Sequence, residues 1–151
     1  MLTRTNLKLI MDFLPLLREL VKSYQAFESY SAPHIKSMDL TPPQFDVIAT
    51  LANQPPMTCK ELGEKTLITK GTLTGILDRL EIKNLIERQI NCEDGRSQKI
   101  ILKESGKKLF DLVFPLHMAY LQKAFSKMNR QDKANLSNSL RQLRNAFEQS
   151  H

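Results

Sequence analysis

Cysteine is nearly absent: Cys59 and Cys92 are the two in a chain of 151 residues. A disulfide framework is therefore excluded, and a reduced, cytoplasmic setting is expected. No stretch approaches the roughly 18 consecutive apolar residues of a membrane span. The opening MLTRTNLKLIMDFLP lacks the apolar run and small-residue cleavage site of a secretory signal. Glycine is scarce at five, and no repeat or low-complexity stretch stands out. Catalytic signatures are missing too: there is no phosphate-binding glycine loop, no nucleophile with a plausible base and no paired histidines on one helix. The three histidines, His34, His117 and His151, fall at no ligand-like spacing. Neither an enzyme, a metal site nor a cofactor is expected.

What is present is ordinary globular composition, with 41% hydrophobic and 25% charged residues. That rules out wholesale disorder, and the length fits one compact domain or a small domain carrying helical extensions. The formal charge is +6, a balance compatible with a polyanionic partner but common among proteins without one. Its distribution is uneven. Residues 1–53 are neutral overall, 54–102 carry +1 and 103–151 carry +5. An electrostatic argument must therefore rest on local placement.

The chain reads as mainly helical. Ile10, Leu14, Leu17, Val21 and Tyr24 recur at helical spacing after Leu7, with a kink or a break expected at Pro15. Pro33 and Ser37-Met38-Asp39 close this element. Thr41-Pro42-Pro43-Gln44 is a capping box with proline at the first helical position, and Thr58-Cys59-Lys60-Glu61 is a second box. Thr69 caps a third helix running to about Lys83. Two short strands, Leu85–Ile90 and Lys99–Leu102, flank the turn-rich segment Asn91–Ser97, predicting a hairpin. Helix returns at Glu104, with a kink expected at Pro115. Asn129 and Asp132 start a last helix whose Leu136, Leu140, Leu143 and Phe147 repeat at heptad-like intervals. Three compact helices followed by a hairpin make a winged helix-turn-helix. The apolar stripes of the terminal helices exceed what so small a centre can cover, so a two-fold dimer is expected.

Candidate functional residues lie in the third compact helix. Leu73, Ile76, Leu77 and Leu80 define its buried face. The opposite face holds Gly71, Gly75 and Asp78, flanked by Thr74 and Arg79. An exposed glycine inside a helix costs about 1 kcal/mol relative to alanine. Two of them four apart point to close approach by another surface, such as a DNA groove or phosphate wall; otherwise they are tolerated surface positions. Thr69, Lys70, Thr72 and Thr74 would supply donors near the positive helix end. At the hairpin tip Gly95 can adopt a positive φ, bringing Asp94 and Arg96 close together. Arg96 could then enter a minor groove with Asp94 holding its guanidinium, or the pair could be a solvated turn.

These residues carry a specific resemblance. Leu40-Thr41-Pro42-Pro43-Gln44-Phe45, Thr69–Thr74 running into Leu77–Glu81, and the wing Asp94-Gly95-Arg96-Ser97 with Leu102 and Gly106 resemble the MarR (multiple antibiotic resistance regulator) family. Lys103 departs from the family's usual threonine, leaving Glu104 or Ser105 to cap the next helix. The resemblance implies a homodimer joined through residues 1–36 and 104–151. It also implies a DNA-binding domain over 37–103 that reads a pseudo-palindromic operator with helix 69–83 and wing 91–98. The DNA-contacting set is then Thr69, Lys70, Gly71, Thr72, Thr74, Gly75, Asp78, Arg79, Asp94 and Arg96. A repressor released by a small aromatic effector is expected, with Tyr24, Tyr30, His34 and Phe45 as pocket candidates that are equally core positions. The alternatives are a winged-helix protein-interaction module, or a redox-responsive regulator using Cys59 and Cys92.

Overall fold

The computed structural model describes residues 11–66, 68–90 and 95–150. The elements run α1 (Leu14–Lys36), α2 (Pro42–Leu51), β1 (Met57–Thr58), α3 (Cys59–Thr66), α4 (Lys70–Ile82), β2 (Ile86–Ile90), β3 (Gln98–Leu102), α5 (Glu104–Phe125) and α6 (Arg130–Glu148). The winged helix-turn-helix arrangement is present as expected. The described chain divides into two units at Phe114 and Pro115, within α5.

Pro15 lies in the first turn of α1, where its missing N–H costs nothing. Leu7 and Ile10 lie outside the described residues, so the stripe expected upstream of Pro15 does too. Pro33 does not close the helix. It sits inside the last turn, and its own carbonyl accepts from the Ser37 amide at 3.0 Å. The stop comes at Ser37–Asp39, where Asp39 takes φ 59°. The buried Ser31 and Ile35 anchor this end of α1.

Both predicted capping boxes close. The Gln44 amide donates to Thr41 Oγ1 at 3.4 Å, and the Thr41 amide donates to Gln44 Oε1 at 3.0 Å. At α3 the Glu61 amide donates to Thr58 Oγ1 at 3.2 Å, while the Thr58 amide and hydroxyl donate to Glu61 Oε2 at 2.7 and 2.9 Å. These bonds, assisted by the charges of Lys99 and Lys65, hold the Glu61 carboxyl below its ordinary pKa. In α6 the Asp132 amide donates to the Asn129 side chain at 2.8 Å.

The end of α4 is equally well defined. Asn84 takes φ 60°. Its amide donates to the Glu81 carbonyl at 2.8 Å, and the Leu85 amide to that of Leu80 at 3.0 Å. This is a Schellman turn, with buried Leu80 and Leu85 as its apolar pair. It reverses the chain directly into β2.

The sheet has three strands, not the two of the expected hairpin. Its order is β1-β3-β2, antiparallel throughout, with Met57 opposite Ile100 and Ile86 opposite Leu102. Strand β1 is two residues long and carries no periodicity of its own; it exists through pairing with β3, some 40 residues away. Leu62 of α3, Leu73, Leu77 and Leu80 of α4, Val47 and Ile48 of α2, and Ile86 and Ile100 of the sheet are almost fully buried together. Gly106 lets α5 start against this core: a Cβ there would lie 2.3 Å from the Leu85 carbonyl oxygen and 2.6 Å from Leu102 Cδ1. The Ser105 hydroxyl donates to the Asn84 carbonyl, and the Lys103 amide to that of Leu85 at 2.9 Å. The start of α5 is thereby tied to the turn that ends α4.

Candidate nucleic-acid interface

Helix α4 buries Leu73, Ile76, Leu77 and Leu80, which turns the expected opposite face to solvent. Gly71, Thr72, Thr74, Gly75, Asp78 and Arg79 are all exposed. Among the described residues no atom lies within 4 Å of where a Cβ on Gly71 or Gly75 would stand. The backbone is bare along this side, open to close approach.

Thr69 occupies the N-cap position with extended backbone, but its side chain does not cap. Its hydroxyl donates to the Thr72 hydroxyl at 3.1 Å. The outward amides of the first turn are therefore not closed by a side-chain cap, and the positive helix end is left for an acceptor from elsewhere. Thr74 behaves differently, because its hydroxyl donates to the Lys70 carbonyl at 3.0 Å. Lys70 is exposed at the helix start.

At the wing Gly95 takes φ 64°, the left-handed turn expected, and Arg96 follows it exposed. Asp94 and Cys92 lie outside the described residues, so the expected Asp94–Arg96 pairing does as well. Between the wing and the starts of α3 and α4 runs an open groove of about 1080 Å³. Among the described residues Lys60, Lys70 and Arg96 line it against one carboxylate, Glu64, which leaves the groove basic. Cys59 borders the same groove, half-buried at the start of α3.

One residue of the site is not expected from the sequence. Arg88, on β2, places Nη2 2.7 Å from Asp78 Oδ1 and Nη1 2.8 Å from Glu81 Oε2. The same Nη2 donates to the Thr74 carbonyl at 3.4 Å. Asp78, expected to face DNA, is thus engaged by the wing. The signal lies in the alternation of β2, which puts Arg88 on the face of the buried Ile86, toward α4.

The four pocket candidates are not brought together. Tyr24 lines a groove of about 540 Å³ with Phe27, Glu28, Ser31, Pro42 and Asp46. Its hydroxyl donates to Glu28 Oε1 at 2.9 Å, and this bond together with the Glu28 charge raises the phenol's pKa. Partial desolvation raises the carboxyl pKa of Asp46, although the residue remains exposed. Phe45 is instead buried, stacked on Phe114 with centroids 6.3 Å apart. Tyr30 and His34 are half-buried on α1 and do not line the groove.

A helix-turn-helix with an open recognition face, a wing and a basic groove defines the class: a winged-helix DNA-binding transcriptional regulator. The family model described as MarR family matches residues 40–98. The HTH-type transcriptional regulator SarZ of Staphylococcus haemolyticus is 31% identical over 128 residues, covering 83% of this chain and 80% of SarZ. Sco3205, a MarR family regulator from Streptomyces coelicolor solved in complex with DNA, is 19% identical with a TM-score of 0.83, over 90% of this chain and 88% of that one. BpsR of Bordetella bronchiseptica, whose DNA binding is regulated by 6-hydroxynicotinic acid, is 23% identical with a TM-score of 0.77, over 83% and 90%. The chain belongs to the MarR family, whose members are DNA-binding regulators of transcription and not enzymes. Among the described residues no helix is long and apolar enough to cross a membrane.

Proposed function

We propose that this regulator is a homodimeric repressor that binds a pseudo-palindromic operator through α4 and the wing. The carrying observation is the bare glycine face of α4 beside a groove lined by Lys60, Lys70 and Arg96. Thr69, Lys70, Gly71, Thr72, Thr74, Gly75 and Arg79 form the major-groove surface, and Arg96 reaches the flanking minor groove. Asp78 contributes from within its ion pair. Residues 37–103 serve as the DNA-binding domain and residues 1–36 and 104–151 as the dimerisation region. Exposed Leu17, Val21 and Phe27 on α1 and Leu136, Leu140 and Phe147 on α6 support that assignment. Two copies would place half-sites about 10 bp apart on one face of the duplex.

A small aromatic effector that favours the non-binding dimer would release the operator. The Tyr24–Phe27 groove is its best seat, of a size that suits such a ligand. Among the described residues its lining holds two carboxylates, Glu28 and Asp46, and no cationic side chain. A phenol or an aromatic amine suits that wall better than an aromatic acid.

The test is selection of duplexes from a random-sequence library by the purified protein, followed by footprinting. A palindromic motif with half-sites one turn apart is expected, bound with an affinity that falls as salt rises. Gly75→Leu should abolish that binding while leaving the helix intact. A protein that selects no duplex would be the interaction module instead.

A further inference from the structure

The recognition helix and the wing must meet one duplex at the same time, so the angle between them matters as much as either surface. The Schellman turn at Asn84 joins them through the backbone, and Arg88 joins them through charge. Its guanidinium bridges Asp78 and Glu81, three residues apart on α4, at 2.7 and 2.8 Å, and also reaches the Thr74 carbonyl at 3.4 Å. Thr74 lies one turn before Asp78, so the contact runs along about two turns of the helix, from Thr74 to Glu81. Arg88 stands opposite Ile100 in the hairpin ladder, and that hairpin carries Arg96. The planar fork of arginine assigns one terminal nitrogen to each carboxylate and fixes their relative geometry, which the freely rotating ammonium of lysine does less well.

The same contacts argue against a direct role on DNA. The Arg88 side chain is only 18% exposed, and both terminal nitrogens are engaged within the protein. We infer that Arg88 is a positioning residue that locks the wing to the recognition helix, so that Arg96 and the glycine face of α4 engage a single duplex together. The inference rests on the operator reading above. It predicts an energetic coupling between Arg88 on β2 and Arg96 at the wing tip.

The experiment uses the full-length protein and a duplex that it selects from a random library. Affinity and its salt dependence are measured for wild type, Arg88→Gln, Arg96→Ala and the double variant, with thermal melting as the folding control. Arg88→Gln should weaken binding roughly tenfold or more. Its salt slope should match wild type, because losing a direct phosphate contact would flatten the slope by about 0.9. Arg96→Ala should cost clearly less in the Arg88→Gln background than alone.

Unchanged affinity, a flattened slope or effects that simply multiply would each overturn the inference. Removing Arg88 strands two carboxylates, so the triple variant Asp78→Asn, Glu81→Gln, Arg88→Gln serves where the single one does not fold. There a diminished Arg96→Ala effect is expected, and an undiminished one overturns the inference. If the wild-type protein selects no duplex, the operator reading fails and this inference fails with it. If it selects one and Arg88→Gln binds normally, this inference fails alone.

Discussion

The winged-helix centre and the terminal helices use apolar residues in opposite ways. In the centre Leu62, Leu73, Leu77 and Leu80 are almost wholly covered. On the terminal helices Leu16 is 56% exposed, Val21 46%, Leu140 47% and Phe147 58%, and α6 buries no residue at all. The centre therefore satisfies itself, whereas the terminal helices carry stripes that await a cover. The hydrophobic effect makes both arrangements informative: the first fixes a fold, and the second marks a surface. Charge repeats the contrast in a different form. Residues 103–151 carry most of the net excess, yet the basic groove of the centre is built from a few well-placed cations.

This contrast can be broken most forcefully in the core. Leu77→Ala should destabilise the protein by about 2–5 kcal/mol, because the closed centre has little freedom to collapse around the cavity. Thermal or urea unfolding measures it; a loss well below about 1 kcal/mol would mean that the centre is loosely packed. The terminal stripes should answer differently. Leu17→Asp with Leu140→Asp should leave helix content by circular dichroism largely intact while shifting sedimentation from the proposed dimer to a monomer. A variant that stays dimeric would place the second copy elsewhere.

Arg96→Ala touches neither core nor stripe. It should weaken operator binding by roughly 1–3 kcal/mol with an unchanged melting temperature. Equal binding would remove the wing from the mechanism.

The smallest effect sharpens the border between the two regions at the exposed Asp46, where partial desolvation raises the carboxyl pKa. The folded state then holds that proton more tightly than the unfolded chain. Stability contributed by Asp46 is lost as pH rises from the ordinary carboxylate value through the raised folded value. Asp46→Asn should accordingly raise the melting temperature slightly at neutral pH and leave it unchanged in acid, below about pH 3.9. A loss at neutral pH would reveal a cationic partner for Asp46.

Much of the centre is legible in the sequence. The capping boxes at Thr41 and Thr58 stand out because their bonds join residues three apart, and the i, i+3, i+4, i+7 pattern of Leu73 to Leu80 names the inward face. The positive φ of Gly95 follows from its place between Asp94 and Arg96. Where expectation and structure part, a contact outside the local pattern decides the matter. Pro33 reads as a stop, yet Ile35 beyond it is buried and holds the last turn in place. Thr69 reads as a cap, but its hydroxyl turns to Thr72. Phe45 reads equally as a pocket wall or a core residue, and its ring stacks on Phe114.

By itself, then, the sequence determined what neighbours along the chain can settle: helix starts, the buried stripe of α4, the hairpin turn and the family signature. Those features rest on hydrogen bonds and periodicities spanning a few residues. Tertiary structure alone decided the third strand at Met57–Thr58, the need for Gly106 beneath the Leu85 carbonyl, the basic groove between Lys60, Lys70 and Arg96, and the bridge from Arg88 to Asp78 and Glu81. Each of these depends on a distance between segments that only packing of the common core can set.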